Sequence, residues 1–533
     1  MSAPGNTRRD FLKALGVGTA GLVWDIKGVP MLDAAVPKPA KGPNLIFVFA
    51  DQLRYQSVGY AGDRKAKTPN IDRLASEGVS FCNAVSSAPV CAPYRGSLFT
   101  GKYASSTGVV VNELRMNPNH ECFGHVLTAS GYQTGYIGKW HLWANQAGNH
   151  SDPRNHFIPP GPYRLGFDGC WAAFNFHHNY YNAHYHTDTP KKIFYGEGVY
   201  EPDAQTDMAI DFIRRIAGRE RPFALFLSYG TPHDPWSRHN VPKEYYDMFK
   251  KAEFPLPASW SDTPDQYMDR HTDLKRWLEY WKPKLPEFQH VYYAMSANLD
   301  WNIGRLLRAI DDAGIRENTI FVFTSDHGEM FGAHGRVQKA IFYEEAVRVP
   351  FLLRWSGRVP AGHVSDACLG TPDIMPTLLS LMGLPVPKEV EGIDLSHPAR
   401  GEAGEEPEAA FLQGMGHTYL WKDGFEWRAL RDKRYTYAIY HVDKSELLFD
   451  NQADPHQVKN LAGDPKHQTT LERFRRMLKK KMDALNDAFE KCTWYRDHWT
   501  KNRNILRGAK GGTLDLDALD KIMKTYFPVA PQP

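Results

Sequence analysis

Five short apolar runs, rich in β-branched and aromatic residues and bounded by turn formers, constrain this chain most: residues 44–49, 133–137, 223–228, 320–323 and 351–353. Helical patterns separate them, as at 69–77 and 292–312. Alternation of this kind predicts an α/β fold with a mainly parallel central sheet between helices. Four runs end in ionisable side chains. The first leads into Asp51 and Gln52, the second into Lys139 and His141, the third into His233, and the fourth into Asp326 and His327. In open α/β sheets the ligand crevice lies beyond the carboxyl ends of the strands. Singly, each residue has a plain structural use: an Asp after a strand caps a helix, and Asp-His-Gly makes a turn. Four such endings in one sheet predict a shared site.

Length argues for more than one core, because 533 residues exceed what a single core accommodates. Residues 43–400 carry the strand–helix alternation and are expected to form the catalytic domain. Residues 400–408, rich in Gly and Glu, read as an exposed linker. Beyond it, 409–533 is expected to be a smaller α+β domain, with antiparallel strands at 426–429, 435–440 and 446–449 and an amphipathic helix at 470–489. A net charge of +3 gives no reason to expect a nucleic-acid partner. Six cysteines, none at zinc-binding spacing, exclude a disulfide scaffold and leave one incidental bridge open.

Residues 1–36 read as an address. Thr7-Arg8-Arg9-Asp10-Phe11-Leu12-Lys13 matches the twin-arginine export pattern, and the weakly apolar run after it is too short to span a bilayer. The chain is therefore expected to leave the cytoplasm through the twin-arginine translocase, for the periplasm or beyond, with no integral membrane span in the mature protein. The plainer alternative is a basic amphipathic helix.

The segment Cys91-Ala92-Pro93-Tyr94-Arg95 places a thiol at an expected helix start. Proline suits a first turn, and Arg95 lies one turn on, so it shares a face with Cys91. Free N–H groups there favour an anion. The structural alternative is a small buried apolar residue. Asp51, Asp326 and the Gln52 amide offer hard oxygen atoms and His327 an imidazole, with residue 91 completing the shell. That set suits calcium, with magnesium or manganese remaining.

Residues 91–101 and 131–141 resemble the two signatures of the formylglycine-dependent (type I) sulfatases of the alkaline-phosphatase superfamily; 371–379, Asp454-Pro455 and 460–462 resemble other family segments. The resemblance runs from about Pro43 to Asp464. It implies that a maturation enzyme oxidises Cys91 to formylglycine, whose hydrate attacks sulfur. It further implies that Arg95 and Lys139 hold that hydrate, that His141 takes the proton of its second hydroxyl so that sulfate leaves, and that His233 and Lys339 grip the sulfate and its leaving oxygen. Asp51, Gln52, residue 91, Asp326 and His327 match the metal ligands. Three positions depart from the pattern: Gln52 for a second Asp, His327 for Asn, and Tyr94 for a small residue. The Gln and His pairing also occurs in relatives that hydrolyse phosphonate monoesters and phosphodiesters.

The reading is a sulfuric ester hydrolase acting on a sulfated carbohydrate. The alternatives are a phosphonate monoester hydrolase or phosphodiesterase of the same superfamily, and a non-catalytic sulfated-glycan-binding protein. His177 and His178, in an insert of aromatic and polar residues at 174–186, together with Trp236, Arg238 and His334, are the candidate substrate contacts, and Asn112 and Glu113 are weaker ones. The insert has an alternative use, as rings that pack a long loop onto the core.

Overall fold

The strands run, in chain order, β1 (Asn44–Asp51), β2 (Val79–Phe81), β3 (Gln133–Lys139), β4 (Cys170–Phe174), β5 (His184–Tyr185), β6 (Ile193–Phe194), β7 (Phe223–Pro232), β8 (Thr319–Ser325), β9 (Phe351–Arg354) and β10 (His363–Ser365). They belong to a computed structural model that describes residues 42–147, 151–268, 273–508 and 512–528. The expected export segment, 1–36, lies outside the described residues. All but β5 and β6, which form their own ribbon, join one eight-stranded sheet in the order β10-β2-β9-β8-β1-β7-β3-β4. The stretch from β8 to β4 is parallel throughout, and β9 is antiparallel to both neighbours.

β1 is buried at all eight positions, as a central strand covered on both faces must be. Its side chains alternate between two cores. Leu45, Phe47 and Phe49 join the core that holds Leu98, Phe99, Leu378 and Leu379, while Ile46, Val48 and Ala50 join the one that holds Leu74, Ile213, Leu299 and Leu306. The sheet is thus sandwiched between the Cys91–Thr100 and Ile374–Leu381 helices on one side and the Pro69–Glu77, Glu201–Ile216 and Lys282–Asp312 helices on the other.

All five expected strands are present and adjacent, as β9-β8-β1-β7-β3. β2 and β10, of three residues each, are too short to show a period, and β4 was not anticipated. The long helix starts at Lys282 rather than at 292 and follows directly on a π-helical turn at Trp277–Trp281; Pro283 sits in its first turn, where no N–H is needed, and Pro286 lies inside it, so two prolines that read as breakers are both accommodated.

The second sheet is antiparallel, β11 (Ala410–Gly414), β12 (Trp427–Arg431), β13 (Tyr435–Tyr440) and β14 (Glu446–Asp450). One face packs Phe411, Leu430, Tyr437 and Leu448 against Leu471, Phe474 and Leu478 of the Gln468–Ala484 helix. The other packs Leu412, Ala429 and Phe449 against Phe342, Tyr343 and Ala346 of the large unit. Cys492, Tyr495, Trp499, Ile505 and Leu519 return to the first core, so the chain's end packs on the large sheet's side of the molecule. All six cysteines are free, and no helix among the described residues is long and apolar enough to cross a membrane.

Candidate active site

The carboxyl ends of β1, β3, β7 and β8 converge on the first turn of the Cys91–Thr100 helix. Val90 is extended, and the helix begins at Cys91 with its Ala92 N–H capped by Asn112 Oδ1 at 2.9 Å. Pro93 costs no hydrogen bond in that turn. Arg95, on the same face as Cys91, runs under the site with its side chain fully buried. Its Nη1 donates to the Lys139 carbonyl at 2.6 Å and to Ser228 Oγ at 2.8 Å, and its Nη2 lies 3.4 Å from Asp326 and 3.6 Å from Asp51.

Charge of both signs is packed around the thiol. The Lys139 ammonium donates to Asp51 Oδ2. Lys339 Nζ lies 2.9 Å from Gln52 Oε1, 3.4 Å from Cys91 Sγ and 2.8 Å from His233 Nε2. His327 Nε2 lies 3.3 Å from Cys91 Sγ, 3.7 Å from Asp51 and 3.6 Å from Asp326. Its Nδ1 is 3.0 Å from the Gly328 carbonyl, which can only accept, so a neutral His327 turns its lone pair toward the thiol and carboxylates. Burial alone would push Asp51 up, but Lys139 foremost, with His233, Lys339 and His327, holds it well below the usual carboxylate range. Burial and Asp51 push the Cys91 thiol up, and Lys139, Lys339 and His327 outweigh them to bring it down.

Four residues around the thiol carry backbone strain. Gln52 (φ 73°), His141 (φ 59°), Gln338 (φ 68°) and Ala340 (φ 68°) all adopt left-handed conformations that side chains disfavour. The turn at Gln52 aims its N–H at Asp326 Oδ1 (3.0 Å) and its amide N–H at Glu329 Oε2 (2.6 Å), which leaves Oε1 facing Lys339. His141 is buried, and neither ring nitrogen has a hydrogen-bond partner among the described residues. Burial first, then Lys139 and Arg95, hold it well below its ordinary pKa and keep it neutral. Burial and His178 do the same to His233, on which the His178 ring stacks at 4.0 Å.

The donor set fits a divalent cation. One atom each from Asp51, Cys91, Asp326 and His327 lies within 4.8 Å of the others, and the Gln52 amide oxygen faces the same space. Oxygen predominates, as hard cations require.

Two contributors carried no sequence signal. Ser228 holds Arg95, and Glu329 is buried with Oε1 accepting from the Phe331 and Gln338 N–H groups (3.0 and 2.7 Å) while Oε2 holds Gln52. Both partnerships span long stretches of sequence, Ser228 standing within β7 and Glu329 just beyond β8.

The substrate candidates separate. His178 joins the cluster through His233. His177 instead pairs with Glu201 at 2.7 Å and stacks on Phe174. Trp236 is buried, its indole N–H donating to the Pro232 carbonyl and its ring packed on Phe331 and Phe288, so it is a packing residue rather than a free contact. Arg238 is exposed and lies over the Tyr246 ring. His334 stacks on Tyr343 and lines a cavity of about 610 Å³ between residues 258–267 and the second sheet. Asn112 caps the Cys91 helix, and the carbonyls of Asn112 and Glu113 accept from Arg503.

Fold and site together define a hydrolase of the alkaline-phosphatase superfamily, and the chain belongs to the sulfatase family. Residues 43–384 match the family described as Sulfatase, and residues 332–486 match N-sulphoglucosamine sulphohydrolase, C-terminal. The chain is similar to an ulvan-active sulfatase of Formosa agariphila, 35% identical over 88% of this chain and 86% of that protein. It is also similar to an N-acetylglucosamine-6-O-sulfatase of Bacteroides thetaiotaomicron, 26% identical over 92% and 93%. A solved structure described as a candidate sulfatase, YidJ, of Bacteroides fragilis superposes with a TM-score of 0.73 at 31% identity, over 87% of this chain and 99% of that one. The protein is a sulfatase.

Proposed function

We propose that this sulfatase removes sulfate from a sulfated carbohydrate outside the cytoplasm, with residue 91, matured to formylglycine, as nucleophile and one divalent cation, calcium, held by Asp51, Gln52, Asp326, His327 and residue 91. The observation that carries the reading is the Cys91 thiol at a helix start, 3.3 Å from His327 and 3.4 Å from Lys339, at the meeting point of four strand ends. When present, the formylglycine hydrate supplies a nucleophile with a second hydroxyl, and the cation supplies Lewis-acid stabilisation of charge on oxygen.

The chain's own residues do the rest. Arg95 and Lys139 are fully buried and Lys339 nearly so; they carry preorganised positive charge that offsets negative charge on sulfuryl oxygens, the effect that usually contributes most to such catalysis. The Lys339 ammonium, which donates to the bare Nε2 of neutral His233, is placed to pass a proton to the leaving oxygen, with His233 as the partner that holds it there. Neutral His141, with both ring nitrogens unengaged, is placed to take a proton. Glycan specificity is supported by the relative named for N-acetylglucosamine, and export by the Arg8-Arg9 pattern.

Gln52 and His327 favour a second reading, a phosphonate monoester hydrolase or phosphodiesterase using the same site. Parallel assays on sulfated sugars, phosphonate monoesters and phosphodiesters separate the two. Fastest turnover on a sulfated sugar is expected, and faster turnover of a phosphonate monoester or phosphodiester would replace the first reading by the second.

A further inference from the structure

Beside the catalytic cluster, the segment after β4 folds back and brings together histidines from separate elements: His156 at the end of the Pro153–His156 helix, His177 just after β4, His184 in β5 and His186 just beyond it. One ring nitrogen each from His156, His177 and His184 lies within 4.8 Å of the other two. The rings are 4.6 to 5.6 Å apart, centroid to centroid. His156 Nε2, His177 Nδ1 and His184 Nε2 are buried and have no hydrogen-bond partner among the described residues.

The partners of the opposite nitrogens fix where the protons are. The Lys191 carbonyl, 3.1 Å from His186 Nδ1, can only accept, so that nitrogen carries the proton and His186 Nε2 is a lone pair. His186 Nε2 lies 3.1 Å from His156 Nδ1, which must therefore be the donor. His156 Nε2 is left as a bare lone pair. In the same way the Glu201 carboxylate, 2.7 Å from His177 Nε2, accepts from an Nε2–H and leaves His177 Nδ1 as the bare lone pair. Two buried lone pairs and a third imidazole nitrogen thus share one space with no hydrogen-bond partner among the described residues, an arrangement that costs stability unless something there accepts electron pairs.

We infer that His156, His177 and His184 form a second metal site, separate from the Asp51 cluster, that takes a borderline transition-metal dication, Zn2+ foremost, with a fourth position open to water. Three neutral imidazoles suit Zn2+ and not calcium, which takes oxygen ligands. Glu201 behind His177 and His186 behind His156 are the outer partners that metal-bound histidines characteristically have. Zinc–nitrogen bonds of about 2.0–2.1 Å would draw the three rings inward. The ion would pin the 174–186 insert to the Pro153–His156 helix, and His178, which stacks on the catalytic His233, is the residue next to His177. His177 would then act as a metal ligand rather than a substrate contact.

The test uses the full-length protein, stripped with chelator, returned to excess calcium so that the Asp51 cluster is filled, and titrated with Zn2+ alone by calorimetry and with Co2+ by visible absorption. One equivalent is expected to bind, with cobalt bands of tetrahedral nitrogen and oxygen coordination and no thiolate charge-transfer band. His184→Ala, at a half-buried position, should abolish binding, Glu201→Gln should weaken it about 10–100-fold, and Asp326→Ala should retain it. The inference is overturned if no Zn2+ binds, if binding survives in both His184→Ala and His156→Ala, or if it is lost in Asp326→Ala alone. Thermal unfolding without metal checks that each variant is folded.

Discussion

At Cys91 a single residue decides the proposed chemistry, because a serine there would keep the first oxygen of the proposed hydrate and lack the second. Cys91→Ser should lose turnover and accumulate protein carrying the mass of one sulfuryl group, read by intact mass after incubation with substrate. Steady turnover by that variant would contradict the assigned chemistry. Glu329 acts through others: it holds the Gln52 amide and the N–H of Gln338, next to Lys339. Glu329→Gln should lower calcium affinity and kcat/KM by about 10–100-fold, the usual cost of losing an outer partner, and excess calcium should rescue part of the rate. A merely structural role would leave calcium affinity unchanged. Asp51, Lys139, Asp326 and Cys91 were legible because each terminates a patterned run or sits in a motif. Glu329 and Ser228 were not, since what makes them matter is a partner more than 100 residues away. Trp236, Arg238 and His334, near His233 and Lys339 in sequence, are engaged with Phe331, Tyr246 and Tyr343 respectively, contacts that nearness in sequence does not reveal.

Among elements, the five central strands, β9, β8, β1, β7 and β3, were readable because they lie inside the sheet and carry short apolar runs, whereas β2, β4, β10 and β11 are short or lie at sheet edges, where neighbours rather than pattern decide pairing. The second sheet is tied to the large unit by a buried polar network no pattern announces. Arg428 in β12 pairs bidentately with Asp487, at 2.6 and 2.8 Å, and Gln413 in β11 bridges Asp487 and Ser105. Burial pushes Asp487 up, yet Arg428 lowers it below the ordinary carboxylate value. The sign follows: the pair's stabilisation is fully present above the unfolded pKa of about 3.9 and is lost as pH falls through the lower folded value. Arg428→Met leaves a buried carboxylate unpaired and should destabilise the protein by about 3–5 kcal/mol near neutral pH. That cost should shrink at acid pH, and denaturant unfolding at pH 7 and pH 3 checks both statements.

Over the whole molecule, the chain's end is part of the catalytic assembly rather than a passive tail. Trp499 and Ile505 join the first core, and Arg503 holds the carbonyls of the Asn112 loop whose side chain caps the Cys91 helix. The proposed export after folding fits such an interlocked molecule, in which the proposed maturation of residue 91 would precede closure of the site. Arg8→Lys with Arg9→Lys should retain the protein in the cytoplasm of an expressing bacterium, seen by fractionation, and unchanged export would remove the twin-arginine proposal. The central claim is tested most directly by peptide mass spectrometry of the segment holding residue 91, in protein co-produced with a maturation enzyme, alongside sulfate release by the same calcium-loaded sample. Conversion of the thiol to an aldehyde, in proportion to activity, is the predicted result. Full activity from protein that keeps its sulfur at residue 91 would contradict the account.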